Sequence, residues 1–572
     1  MAALTGVAIA GGPERDRRRF AGLKARRRQA VRRRISHRLA FVAAGFFAAF
    51  VGVSARLVDV MVLKGGDSGE RVRAAADLDR GRADIVDREG QILATDLTSA
   101  SLYADARKVV DPQATAAALA QVFRLDEAAL AAELSSRRAF VWIKRHLTPQ
   151  ERFEVYRLAL PGLYFQRDHE RVYPAGRLAA HVVGFADIDG NGLAGMERAL
   201  DARAKEEGRE GAAIALTIDL RVQYALTEEL AAAIARFDAI GGSGIILNAR
   251  TGVVLALASL PDFDPNQAGA AGEAQRFNRV TMGVYEQGST FKSFTIAAAL
   301  DAGAVTLDSQ FDASHPLRIG RYTISDYHGK KRMLTVPETF IYSSNIAAAL
   351  IAEKLGGERL SGYFAAFGLT HQTPFELPEL GSPLVPDRWS EVATMTAGYG
   401  HGIAVSPLHV AAAAASLVNG GTLVRPTLLA GRRAEAGDAR RIISARTSEI
   451  MRALMRLNVE EGSGKQADTP DFPVGGKTGT AEKPSGGGYD RHALMSSFLG
   501  VFPAYDPEYV ILVSLDEPKG TKETHGYATA GWTAAPVVGA VVGRIGPILA
   551  YAPAGSEETR ERHNVVLSSY AE

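Results

Sequence analysis

Ser289 and Lys292 stand three residues apart in YEQGSTFKSFTIAAAL, Tyr285 to Leu300. A serine hydroxyl is a poor nucleophile until a base takes its proton. A lysine is such a base only when neutral, which requires desolvation or a neighbouring positive charge to lower its pKa. On a helix the i, i+3 spacing puts both side chains on one face. Gly288 suits a tight turn into that helix. In a first turn, the positive helix end disfavours a charge on Lys292 and free backbone N–H groups can hold an oxyanion. The same residues also read as an ordinary helix start, with Ser as a favoured cap and Lys as a surface residue.

Two further motifs weigh against the ordinary reading. IYSSNIAAAL contains Ser343-Ser344-Asn345 at the start of another apolar helical run, and FPVGGKTGTAEK contains Lys477-Thr478-Gly479-Thr480 after two glycines. Alone, the first reads as a helix cap and the second as a turn. Ser-x-x-Lys, Ser-x-Asn and Lys-Thr-Gly, each once and in that order, form the set of penicillin-binding proteins and related serine β-lactamases. That set points to nucleophilic catalysis through Ser289. No cysteine is present, so disulfides and thiolate metal sites are excluded.

The surrounding pattern supplies the elements that must hold these residues. IALTIDLRVQYALTEELAAAIARF reads as a strand end followed by an amphipathic helix, with Asp219 as its N-cap. GSGIILNARTGVVLALAS reads as a hairpin turning through Asn-Ala-Arg-Thr-Gly. Ala-rich helices follow Ser289, strands return at SSFLGVFPAY and EYVILVSLD, and APVVGAVVGRIG closes as a helix. Strands, a helical middle, strands and a last helix predict an α+β domain with one sheet built from both ends of the segment. Pro484–Asp490 reads as a loop tip. Residues 64–215 mix short strands with a helical stretch from Pro112 to Leu134 and hold no catalytic cluster, as expected of a spacer or interaction module.

Charge is distributed unevenly. Residues 1–38 hold 12 of the 66 Lys and Arg and only two acidic residues, leaving 54 basic and 62 acidic residues for the rest. This block could serve as a nucleic-acid arm, but Leu39–Ala55, free of charge, follows it directly and argues against that. A basic flank before one apolar run is the positive-inside pattern and predicts a single transmembrane helix over 39–63, with the N-terminus cytoplasmic. A cleaved signal peptide is the alternative, with Val53-Ser54-Ala55 as a faint cleavage site.

The chain resembles the class B penicillin-binding proteins, and among them the cell-division (FtsI-type) peptidoglycan D,D-transpeptidases. RADIVDREGQILA and RVYPAGRLAAHVVGFADIDGNGLAGMERALD resemble the two halves of the family's pedestal, with Ala83 where a glycine is usual. LPDFDPN, RFNRV, GYGHGIAVSPLHVAAAAASLVNGG and SSFLGVFP resemble its transpeptidase domain. Gln287 stands where proline is common and His409 where glutamine is common, departures expected to bear on packing.

The resemblance implies a cytoplasmic basic tail 1–38, a membrane helix 39–63, an elongated mixed pedestal 64–215 of the dimerisation type, a transpeptidase domain 216–550 and a flexible tail 551–572. That domain is expected to be an antiparallel sheet flanked by helices, with a helical subdomain. Ser289 is implied to attack the penultimate D-alanine carbonyl of a stem peptide, and Lys292 to accept its proton. The N–H groups of Ser289 and Thr480 would hold the oxyanion. Ser343, linked to Lys292 and Lys477, would pass a proton to the departing D-alanine. Asn345, Thr478, Gly479 and Thr480 would bind substrate, the threonines its carboxylate. No metal or cofactor is implied. Implied partners are stem peptides, the lipid-linked precursor polymer, β-lactams, the membrane, a SEDS-family glycosyltransferase of the FtsW type and other divisome membrane proteins, but not nucleic acid. The implied place is the bacterial inner membrane at the division site, with the catalytic domain periplasmic. Hydrolysis by a β-lactamase or carboxypeptidase, a penicillin-binding scaffold or sensor, and a transpeptidase of the elongation type are the rival readings. The Glu-x-x-Leu-Asn loop of class A β-lactamases is absent from the sequence.

Overall fold

The computed structural model of the protein describes residues 44–55, 81–207, 213–320, 322–432, 439–486 and 488–551. The chain divides into two units, one ending at Gly81 and one beginning at Arg82. In the first, residues 44–55 are helical. The rest of the expected span 39–63 lies outside the described residues, as do the basic tail 1–38 and residues 552–572 of the expected tail. Among the described residues no helix is long and apolar enough to cross a membrane.

The second unit opens with a sheet in which β1 (Ile92–Ala104) pairs with β2 (Val141–Leu147) and β3 (Leu163–Val172), both antiparallel. Leu102 and Ala104, two residues apart and so on one face of β1, pack with Leu119, Leu130 and Leu134. The stretch Pro112–Leu134 is two helices, α1 (Pro112–Phe123) and α2 (Glu127–Leu134), not one. Arg124 turns left-handed at a φ of 55°, and Asp126 caps the next helix by accepting from Ala129 N. A short strand, Ile85–Val86, pairs with both β1 and Ile214–Ala215. Thr217 N then donates to Leu428 O, which stitches this part to the larger part that follows.

There, Asp219 caps α3 (Leu220–Arg236) as its spacing predicts, accepting from Arg221 N. The hairpin follows as β4 (Gly241–Asn248) and β5 (Val254–Leu260), with Asn248 Oδ1 accepting from Arg250 N and Thr251 N across its turn. The helical middle includes α4 (Phe291–Asp301), α5 (Asn345–Leu355), α6 (Pro407–Val418) and α7 (Ala445–Glu460). The chain then returns as β6 (Gly475–Ser485), β7 (Gly488–Phe502) and β8 (Tyr509–Asp516), and closes with α8 (Ala534–Ile548). The sheet runs β6-β7-β8-β4-β5, antiparallel throughout, so both ends of the segment build it.

Alternating side chains cover both faces of this sheet. Ile246, Ile511 and Val513 pack with Leu226 of α3 and Val538 of α8, while Ile245, Leu247 and Leu512 pack with Val410 of α6. β4, β5 and β8 are therefore buried along nearly their whole length, whereas β6 carries polar residues. On the second face lies α4, buried on every side from Phe291 to Ala299, its mostly apolar residues holding Lys292, Ser293 and Thr295 inside the core with them. Phe291 and Phe294 meet Phe364 and Phe367 at 5.5 Å each. Full burial of one such phenylalanine contributes about 1.5–3 kcal/mol. This anchoring matters because the start of α4 carries the reactive pair.

Candidate active site

Ser289 does not lie in the first turn of an α-helix, as its sequence suggests. It occupies a single 3-10 turn, Gly288–Thr290, and α4 starts two residues later at Phe291. Gly288 takes a φ of 51°, and Gln287 O accepts from Thr290 Oγ1 at 2.9 Å, which tightens the turn. Ser289 in this turn and Lys292 in the first turn of α4 straddle the junction of the two, and Lys292 Nζ stands 2.9 Å from Ser289 Oγ.

The two serines of the second motif divide their tasks. Ser344 is the N-cap of α5, its Oγ accepting from Ala347 N at 3.1 Å. Ser343 is thereby released from capping and sits left-handed at a φ of 56°. Its Oγ is 3.2 Å from Lys292 Nζ and 2.9 Å from Lys477 Nζ. Its carbonyl accepts from Lys292 at 2.5 Å, and Asn345 Oδ1 accepts from the same Nζ at 2.7 Å. Asp326, which no sequence motif marks, accepts from Ser344 Oγ at 2.7 Å and from Asn345 N at 2.6 Å.

The third motif lies on β6, the edge strand of the sheet. Gly479 must be glycine. A Cβ there would stand 2.5 Å from Gln287 O and 2.6 Å from Thr290 Cγ2. A Cβ on Gly288 would likewise stand 2.5 Å from Thr480 O. This close approach sets the serine turn directly against Thr480. Thr478 Oγ1 lies 2.6 Å from Ser463 Oγ, and Thr480 Oγ1 accepts from Ala530 N at 3.1 Å, which leaves the Thr480 hydroxyl proton for an anion. Asn458 braces the strand from α7, donating to Gly476 O at 2.8 Å and accepting from Ser463 Oγ at 3.1 Å.

Both lysines are fully buried. Burial, reinforced by the charge of Lys477, pushes the Lys292 amine well below its ordinary value, and Asp326 partly opposes the shift. Burial alone brings Lys477 down to about 7. The shift favours the neutral amine against Ser289, and one hydroxyl away Lys477 is poised between its two forms near neutral pH. Such an arrangement can activate a serine, carry a proton through Ser343 and attract a carboxylate.

All eight motif residues expected to act thus meet in one place. The departures lie as expected in packing roles. Gln287 is buried, donating to Val405 O at 3.3 Å and accepting from Ser497 Oγ at 3.4 Å. His409 is buried against Ser406, His371 and Thr373, none a motif residue, and desolvation lowers its pKa to about 4.

Known proteins share this architecture. Residues 242–541 match the penicillin binding protein transpeptidase domain, and residues 78–210 match the penicillin-binding protein dimerisation domain. Over 530 residues the chain is 43% identical to the probable peptidoglycan D,D-transpeptidase FtsI of Caulobacter vibrioides, covering 89% of this chain and 88% of that one. It is 28% identical over 519 residues to the peptidoglycan D,D-transpeptidase FtsI of Escherichia coli, covering 85% of this chain and 86% of that one. Penicillin binding protein 3 of Mycobacterium tuberculosis, solved in complex with aztreonam, is similar in structure with a TM-score of 0.64 at 26% identity, covering 83% of this chain and 97% of that one. With both domains matched in order and the identity sustained over most of its length, the chain belongs to the class B penicillin-binding proteins.

Proposed function

We propose that the protein is a serine-type peptidoglycan D,D-transpeptidase that cross-links stem peptides at the division septum and is acylated by β-lactams. The observation that carries this reading is the contact of Lys292 Nζ with both Ser289 Oγ and Ser343 Oγ, the latter also touching Lys477. The relatives named as FtsI supply the septal part of the reading, and the aztreonam complex of a relative supplies the β-lactam part.

The steps follow from the groups in place. A stem peptide lies extended along the free edge of β6, adding to the sheet as a strand. Its terminal carboxylate meets Lys477 and the hydroxyls of Thr478 and Thr480, a charge-assisted clamp. Ser289 Oγ attacks the penultimate carbonyl carbon while Lys292 Nζ takes the hydroxyl proton. The oxyanion faces the N–H groups of Ser289 and Thr480. As the C–N bond breaks, Ser343 delivers a proton to the departing D-alanine amine and is reprotonated from the lysines. Asn345, held by Lys292, keeps its amide beside the peptide backbone. The amine of a second stem peptide then attacks the acyl-serine carbonyl carbon, its proton passes to Lys292 Nζ and from there to Ser289 Oγ, and as the C–O bond breaks Ser289 leaves as the free hydroxyl.

The pedestal, 64–215, and the transpeptidase domain, 216–550, would be carried by a single membrane helix over 39–63, the catalytic part lying periplasmic. A SEDS-family (FtsW-type) glycosyltransferase and other divisome proteins would be its membrane partners, supplying the glycan polymer. The test is replacement in growing cells. Depletion should give cells that lengthen without constricting, and the Ser289→Ala chain should reach mid-cell without restoring division. Normal constriction with Ser289→Ala would make the protein a scaffold. Round, wide cells on depletion would assign it to elongation.

A further inference from the structure

Asp326 lies outside all three motifs, on the loop after the short strand Tyr322–Ile324, 17 positions before Ser343. Its carboxylate is nonetheless the hub of the second-motif turn. Oδ1 accepts from Asn345 N at 2.6 Å and from Ile346 N at 3.0 Å. Oδ2 accepts from Ser344 Oγ at 2.7 Å. The neighbouring Ser325 O accepts from Asn345 Nδ2 at 3.1 Å. With Ser344 Oγ holding Ala347 N, the first three N–H groups of α5 are all taken by these two side chains.

That double cap has a consequence for the chemistry. Ser343 is left-handed, a conformation that costs a residue with a Cβ and persists only where its surroundings impose it. The residues on its C-terminal side are pinned by Asp326. Ser343 Oγ, Ser343 O and Asn345 Oδ1, which all meet Lys292 Nζ, depend on that pinned turn for their positions.

We propose that Asp326 is a positioning residue of the acyl-transfer site, holding Ser343 and Asn345 against Lys292 from the far side of the second-motif turn. This rests on the transpeptidase reading. Asp326 also adds a negative charge whose effect on Lys292 opposes that of Lys477. These two are the charged groups acting on the lysine among the described residues, its other partners Ser289, Ser343 and Asn345 being neutral. The carboxylate favours the ammonium form and Lys477 opposes it.

The experiment is the rate of acylation by a fluorescent penicillin as a function of pH, for the full chain, Asp326→Asn and Asp326→Glu. Asn keeps the shape but loses the charge and one acceptor. Its plateau rate should fall about 10- to 100-fold, the scale of losing charge-assisted hydrogen bonds. Its acidic limb should move to lower pH, because Lys292 then sheds its proton more readily. Glu keeps the charge, so its limb should stay where the wild-type limb lies while its plateau falls less. A cap that served stability alone would leave the limb in place. An unmoved limb in Asp326→Asn, an unchanged plateau, or a limb that moves in Asp326→Glu would overturn the inference. A wild-type chain that takes no penicillin would overturn the transpeptidase reading and this inference with it.

Discussion

Lys292 Nζ stands 2.9 Å from Ser289 Oγ, and nothing of the lysine is exposed to solvent. A charged ammonium in that position would be costly, whereas a neutral amine can accept the serine proton. The burial follows from the sequence of α4, whose predominantly apolar residues, Phe291, Phe294 and Ile296 among them, draw its first turn into the core.

Replacing Lys292 by Arg puts a permanently protonated guanidinium in place of an amine that must be neutral, and so removes the base. Acylation by penicillin should fall at least ~10²-fold, the scale of losing a general base. A single-turnover acylation rate measures this directly. A near-normal rate would assign the proton transfer to another group.

The two lysines set opposite limbs of a pH profile. Lys292 must be neutral to act, so the rate rises with pH through its depressed pKa and is already on its plateau far below the ordinary lysine range. Lys477 clamps a carboxylate only when protonated, so the second-order acylation constant should decline as pH rises through about 7. A β-lactam with its carboxylate esterified should lose the upper limb and keep the lower one. Equal upper limbs for acid and ester would remove Lys477 from carboxylate binding.

Gly479→Ala forces a Cβ to within 2.5 Å of Gln287 O, on the strand that must touch the serine turn. Acylation should drop by ~10-fold or more, since small displacements of a reacting group are expensive. Gly488→Ala on the same hairpin, with nothing within 4 Å of its Cβ, should leave the rate unchanged. Equal rates for both variants would contradict the close packing of β6 on Gly288–Thr290.

Adjacent serines should separate cleanly. Ser344→Ala removes an N-cap and should lower unfolding stability by about 1 kcal/mol. Ser343→Ala removes the hydroxyl between two lysines and should lower transpeptidation by ~10²-fold, with the smaller effect on thermal unfolding. Thermal unfolding and D-alanine release, read on both variants, decide this.

The three motifs can be read from sequence because the reaction demands particular residue types at particular spacings, and each motif is short. β4, β5, β7 and β8 are legible as apolar, β-branched runs bounded by turns, and α3 is legible from Asp219 and its period. Other features depend on contacts far along the chain. Asp326 reaches Ser344 from a loop with no local pattern, and Ser463 reaches Thr478 from the turn after α7. The 3-10 turn at Ser289 depends on the packing of Gly288 against Thr480, and local spacing carries no trace of that. The break after Phe123 is different. Asp126 is a readable cap, but the Ala-rich residues on both sides of it mask the interruption.

The central claim is that Ser289 forms the acyl bond. Intact-mass and peptide mass spectrometry of the full chain after exposure to penicillin tests it most directly. A single adduct on the peptide containing Ser289, absent in a folded Ser289→Ala chain, is the predicted result. An adduct that persists in Ser289→Ala, or that maps to another residue, would contradict it.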